Sequence, residues 1–83
     1  MTPRQIPKRL GKKLQRIRQY KGWTLDEMAE ATGRTGVSRR TRVYEWEHGM
    51  RQPDLNALLA YARLVEVPVE VLIDDEQDLQ LEE

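Results

Sequence analysis

A small all-α domain of five helices is the fold class this sequence predicts. Three observations carry it. Apolar residues recur three and four positions apart through most of the chain, capping residues and glycines cut that pattern into five short pieces, and one β-branched stretch has no second stretch to pair with.

The first piece runs from Pro7 to Tyr20, where Leu10, Leu14 and Ile17 mark one face and Lys and Arg fill most other positions. Gly22 suits the left-handed conformation that closes a helix, and Arg18 and Lys21 put positive charge near the negative end of the helix dipole. Thr24 followed by Glu27 has the spacing of a capping box, with Trp23 and Met28 as its hydrophobic staple, so a second helix is expected over Leu25 to Thr32. Gly33-Arg34-Thr35-Gly36 reads as a turn, with Ser38 the expected cap of a third helix over Arg39 to His48. Val43 and Trp46 face its core side, and Gly49 ends it.

Pro53-Asp54 opens a fourth helix with an Asp cap and an apolar face of Leu55, Leu58, Leu59, Ala62 and Val65. Residues 67 to 73 have the β-branched content of a strand, but a lone strand has no partner here, and a short fifth helix starting at Pro68 fits better. From Asp74 to Glu83 only Leu79 and Leu81 are large and apolar, so a flexible acidic tail is expected. The expected organisation is a basic arm over residues 1–9, a folded domain over 10–73 and the tail over 74–83.

Composition narrows the function. One core fits in 83 residues, which leaves no room among them for a separate catalytic domain. Without cysteine, and with His48 as the single histidine, neither a disulfide framework nor a thiolate metal site is expected, and no cofactor is called for. No Ser or Cys nucleophile has a base partner and no glycine-rich phosphate loop follows a strand, so catalysis is not expected. Neither a signal-like stretch nor an apolar run of roughly 18 residues is present, which points to a cytoplasmic protein without a membrane partner.

The formal net charge of zero hides a sharp division. Residues 1–51 carry thirteen of the fourteen Lys and Arg against five acids, a formal +8, whereas residues 52–83 carry Arg63 against nine acids, a formal −8. A basic half of this size suits an anionic polymer. Arg39, Arg40 and Arg42 crowd the start of the third helix, where the dipole is already positive, and phosphates would relieve that repulsion. Arg4, Lys8, Arg9, Lys12 and Lys13 are further candidates for phosphate contact.

The stretch LGKKLQRIRQYKGWTLDEMAEATG followed by RVYEWEHGMRQPDLNALLAYARLVEVPVEVLI resembles the Xre family of repressors, which share the lambda-repressor-like five-helix fold. The likeness spans about residues 10 to 73 and rests most on Leu25-Asp26-Glu27-Met28-Ala29, on Trp46-Glu47-His48-Gly49 with Pro53 four positions on, and on the leucines of the fourth helix. It implies a helix-turn-helix formed by the second and third helices. It also implies an ion pair of Glu47 with Arg18.

Base-reading positions implied by the family fall on Arg40, Thr41 and Glu45, with Arg39 and Tyr44 beside them. The chemistry suits them: Arg can bond guanine O6 and N7, Thr can meet a thymine methyl, and Glu can accept from cytosine N4. Implied phosphate contacts come from the loop Met50-Arg51-Gln52 after the third helix and from the start of the second near Thr24, and Arg42 of the arginine cluster is a further phosphate candidate. The implied partner is double-stranded DNA, as a palindromic operator bound by a homodimer, with no small-molecule ligand evident. Val67, Val69, Leu72 and Ile73 are the expected dimer surface. An antitoxin-like protein-interaction module, with the acidic segment engaging another protein, is the alternative.

Two departures from the family stand out. Glu47 lies fourteen positions after Gly33, a longer turn than usual, which leaves the register of Arg39, Arg40 and Thr41 open by one residue. Leu25 stands where many members place a phosphate-touching Gln.

Overall fold

A computed structural model describes residues 6–81. Arg4, the beginning of the basic arm, and the last two residues of the acidic tail lie outside them. The described chain forms α1 (Leu10–Lys21), α2 (Leu25–Ala31), α3 (Arg39–Glu47), α4 (Leu55–Leu64) and α5 (Val69–Ile73), with no strand among the described residues. The helix pair α2 and α3 shares the most extensive contact, and α1 packs on α3, α4 and α5.

Local chemistry sets the helix ends. At Gly22 (φ 72°) the chain turns left-handed, its N–H donating to the Gln19 carbonyl and that of Trp23 to the Arg18 carbonyl. These two bonds satisfy carbonyls that the end of α1 would leave unpaired. Thr24 then starts α2 with a complete capping box: the Glu27 N–H donates to Thr24 Oγ1 at 3.2 Å, and the Thr24 N–H to Glu27 Oε1 at 2.8 Å. Asp54 caps α4 by accepting from the Ala57 N–H at 2.8 Å. Ser38 differs from expectation. Its backbone is near-helical (φ −95°, ψ 7°), outside the extended geometry a hydroxyl cap requires, and its side chain makes no cap hydrogen bond.

The core gathers Leu10, Leu14 and Ile17 of α1, Met28 and Ala29 of α2, Val43 and Trp46 of α3, and Ala57, Leu58, Tyr61 and Ala62 of α4, with Leu72 and Leu79. The buried face of α4 is thus turned from the one expected. Leu55 is 82% exposed and Leu59 reaches solvent, while Tyr61 is fully buried with its ring edge-on to Trp46. The Trp46 and Tyr61 rings, with centroids 6.3 Å apart, meet in the edge-to-face arrangement that aromatic pairs favour. Leu72, expected on a dimer surface, is fully buried in the monomer and unavailable for one.

Residues 74–81 also differ from the free tail expected. They run back along α1, with Leu79 buried and its carbonyl accepting from Arg16 Nη1 at 3.0 Å. The helix start at Arg9 has no side-chain cap of its own. The carboxylate of Asp75 takes that place, accepting from the N–H groups of Lys8 (2.9 Å) and Arg9 (3.0 Å), while the Arg9 guanidinium bonds the Asp75 carbonyl and the Asp78 carboxylate. Lys13 is buried, and its ammonium donates to the carbonyls of Val71 (2.7 Å) and Asp74 (2.9 Å), closing the C-terminal end of α5. Arg9 and Lys13 thus hold the C-terminal segment and α5 against α1, and the Lys13 side chain is buried away from solvent.

These contacts carry a pH signature. Backbone N–H groups of Arg9 and Lys8 hold the Asp75 carboxyl below the usual Asp range, and the Arg9 hydrogen bond does the same for Asp78. A carboxyl whose pKa is lower folded than unfolded adds stability above its unfolded pKa, and that stability is lost as pH falls through the folded value. Thermal melts are therefore expected to show a loss of stability below about pH 4, near the ordinary Asp value. Asp75→Asn should be less stable near neutrality and lose less on acidification. An unchanged acid dependence in that variant would show that Asp75 does not hold the segment.

Candidate nucleic-acid interface

The α2–turn–α3 unit presents a helix with two unlike faces. Inward, Val43, Trp46 and Glu47 are buried; outward, Arg40, Thr41, Tyr44 and His48 are exposed. The outward residues follow the turns of one helix face, and the Tyr44 and His48 rings stack with centroids 3.9 Å apart. After Gly49 (φ 71°) the exposed residues Met50, Arg51 and Gln52 continue the same end of the molecule before buried Pro53 turns the chain into α4.

The two arginines at the start of α3 have different surroundings. Arg39 is turned toward the protein: its Nη1 donates to the Gly36 carbonyl at 3.1 Å, its Nε lies 3.5 Å from Asp26, and its Nη2 lies 3.7 Å from Glu30. It ties the turn and α3 to α2. The side chain of Arg40 is 65% exposed and meets only Asp26, through Nη2 at 2.7 Å and Nε at 3.4 Å. The same bond holds the Asp26 carboxyl below the usual range and raises the pKa of Arg40. Of the pair, Arg40 is the one whose guanidinium faces solvent.

Other candidates divide in the same way. Glu45 is half-buried and directed at Arg51, with Oε1 3.4 Å from Nε, so this carboxylate is drawn from the outward stripe toward the following loop. Thr41 and Tyr44 point outward, and Arg42 is half-buried with no ion pair among the described residues. Thr24 is exposed at the start of α2, its hydroxyl engaged in the capping box. A groove between Lys8 just ahead of α1, Lys12 and Gln15 of α1, and His48 and Gly49 brings two exposed lysines beside the end of α3.

Behind this face lies an ion pair across α1 and α3. Arg18 Nε donates to Glu47 Oε2 at 2.6 Å and Nη2 to Oε1 at 3.1 Å, a two-pronged arrangement, while Nη1 donates to the Trp23 carbonyl at 3.0 Å. The Glu47 side chain is 1% exposed. Bonding to the carboxylate raises the pKa of Arg18. Burial, aided by the Glu47 charge, pushes the Tyr61 phenol upward as well.

Three contributors escaped the sequence pattern. Gly11 lies against the end of α3, where an added Cβ would stand 2.5 Å from the Glu47 carbonyl oxygen. Arg34 bonds Asp54 at 2.5 Å and places its guanidinium 5.6 Å from the Trp46 ring centroid, which pins the long turn to α4 and to the core. Asp26 joins both arginines at the start of α3. The signal for Gly11 was present, since a glycine inside a helical pattern costs stability unless something packs against it. Arg34 and Asp26 gave none, because their partners lie 20 and 14 positions away across a turn of unusual length.

Among the described residues no group of His, Cys, Asp and Glu side chains is arranged to hold a metal ion, and no helix is long and apolar enough to cross a membrane. A family model described as helix-turn-helix matches residues 14–72, well over half of the chain. No curated protein and no solved structure gives a significant match. The order of five helices, the outward face of α3 and the extent of that match agree, and the chain belongs to the Xre-type helix-turn-helix family of DNA-binding regulators, with the lambda-repressor-like fold.

Proposed function

We propose that this chain is a sequence-specific repressor that lays α3 in the major groove of double-stranded DNA. The observation that carries this reading is the outward stripe of Arg40, Thr41 and Tyr44, flanked by Arg51 and Gln52 after the helix. Arg40 supplies donors for guanine O6 and N7, Thr41 a methyl and a hydroxyl, and Tyr44 a ring with a polar tip. Arg51, Gln52, Arg42 and the start of α2 at Thr24 meet phosphates and hold the register. Glu45 reads cytosine N4 once Arg51 turns to phosphate, and Arg39 supports Arg40 from behind.

A single helix reads only a few base pairs, so two copies on a palindromic operator supply the specificity a regulator needs. Val67 and Val69 are half-buried and Ile73 is 43% exposed, which leaves an apolar edge at α5 for the second copy. Occupying the operator in the cytoplasm is the activity; no bond is made or broken. The antitoxin-like alternative is disfavoured because Asp75 and Asp78 already engage Lys8 and Arg9, which lead into α1 of their own chain.

Two arginine variants test the reading. Arg40→Ala should cost roughly 1–3 kcal/mol on the preferred operator and relax preference at one position per half-site, with little effect on random duplex. Arg51→Ala should weaken both DNAs alike and make the salt dependence shallower by about one unit. If both variants change only the salt dependence, α3 is a phosphate clamp and the sequence-specific reading fails.

A further inference from the structure

Asp26 is an acid placed where a phosphate-binding surface should not want one. It sits in the first turn of α2, facing the start of α3, with its side chain about one-third exposed. Its carboxylate takes Arg40 side-on, Nη2 donating to Oδ2 and Nε to Oδ1. Arg39 Nε lies 3.5 Å from Oδ1, the oxygen that Arg40 Nε also meets, close enough for ionic attraction but without a hydrogen bond. Two guanidinium charges therefore flank the acid, and Arg40 supplies its hydrogen bonds.

The geometry divides the donors of Arg40. A guanidinium carries five N–H donors in a rigid plane. Side-on pairing uses the Nε donor and one on Nη2, and leaves the two on Nη1 and the second on Nη2 without a protein partner, on a side chain that is 65% exposed. An exposed arginine otherwise samples many rotamers and loses that freedom on meeting a base. One already held by a carboxylate loses less. The negative charge of Asp26 acts in the opposite direction on unspecific contact, because phosphates approaching without a base for Arg40 meet repulsion with no gain in return.

We propose that Asp26 is a specificity-determining positioning residue: it presents the remaining donors of Arg40 to guanine and penalises complexes in which Arg40 meets no base. The proposal rests on the base-reading role given to Arg40 above. It makes a prediction that a purely structural acid does not, namely that removing Asp26 lowers discrimination while raising affinity for unspecific DNA.

The test uses the operator obtained by selection with the wild-type protein, its single-base-pair variants and a random duplex of equal length. Asp26→Ala is the main variant, because alanine keeps α2 helical and its effect on folding is checked by thermal melting. Discrimination at the base pair identified by Arg40→Ala should fall about tenfold, the scale of one lost arginine–guanine contact, and stay within about twofold at other positions. Affinity for random duplex should rise about two- to fivefold at low salt. Asp26→Glu, which keeps a carboxylate in reach of Arg40, should restore part of the discrimination. Combining Asp26→Ala with Arg40→Ala should add no further loss at that base pair.

Full discrimination in Asp26→Ala, or an equal loss at every position, overturns the proposal, the second result marking a general structural role. If Arg40→Ala alters no base preference, the base-reading role falls first and the positioning role with it. If Arg40→Ala alters a preference and Asp26→Ala does not, only the positioning role falls.

Discussion

Replacing Glu47 by Ala is expected to destabilise the domain by about 3 kcal/mol, at the lower end of the range for removing one member of a buried ion pair. The lower end applies because the Arg18 side chain retains 18% exposure and a bond to the Trp23 carbonyl, so its charge is not fully stranded. For a domain of this size the loss corresponds to a fall of roughly 12–24 °C in the thermal midpoint. Glu47→Gln, which keeps the shape and loses the charge, should fall between the variant and the wild type. Thermal and urea melts read both. A change of less than about 0.5 kcal/mol, the scale of an ordinary surface substitution, would mean that the pair contributes nothing to the fold.

Gly11→Ala sets two effects of opposite sign against each other. By helix propensity alone the change should stabilise α1 by about 1 kcal/mol. The added Cβ, however, would stand 2.5 Å from the Glu47 carbonyl oxygen and 3.0 Å from its carbonyl carbon, both backbone atoms that no rotamer change can move. Forcing α1 and α3 apart at a packed contact costs typically 1–3 kcal/mol, and here it also strains the Arg18–Glu47 pair two turns along α1. A 2.5 Å approach to backbone puts the cost at the upper end of that range, so the clash should win, with a net loss of up to about 2 kcal/mol in a urea melt. A more stable variant would show that α1 and α3 approach less closely than the structure places them.

Much of the fold was legible because its boundaries are written in local chemistry. Gly22 and the Thr24–Glu27 box need no knowledge of the rest of the chain, and they fix the end of α1 and the start of α2 within a residue, whereas the start of α1, expected at Pro7, lies at Leu10. The face of α4 was not legible in this way. Leu55, Leu58 and Leu59 are equally apolar, and only the partner surface decides that Tyr61 goes inward against Trp46 while Leu55 goes out. The acidic segment misled for a related reason. Two leucines among acids read as a tail until the uncapped start of α1 and the basic side chains of Arg9 and Lys13 are seen to face it.

The candidate interface divides similarly. The spacing of Val43 and Trp46 identifies the inward face of α3, and the outward residues follow from helical geometry. Which arginine faces outward at the helix start did not follow, because the long turn leaves the first helical residue undefined. Arg39 is drawn in by the Gly36 carbonyl and by acids of α2, and Arg40 is left facing out. That distinction is a tertiary effect, carried by residues that no local window contains.

Selection of bound duplexes from a random pool, carried out with the wild-type protein and with Arg40→Ala, tests the central claim most directly. Sequence-specific reading by α3 predicts a short enriched motif for the wild type, repeated as an inverted half-site about one helical turn away, and loss of preference at one position per half-site for the variant. A wild-type protein that binds the pool yet enriches no motif would contradict the account.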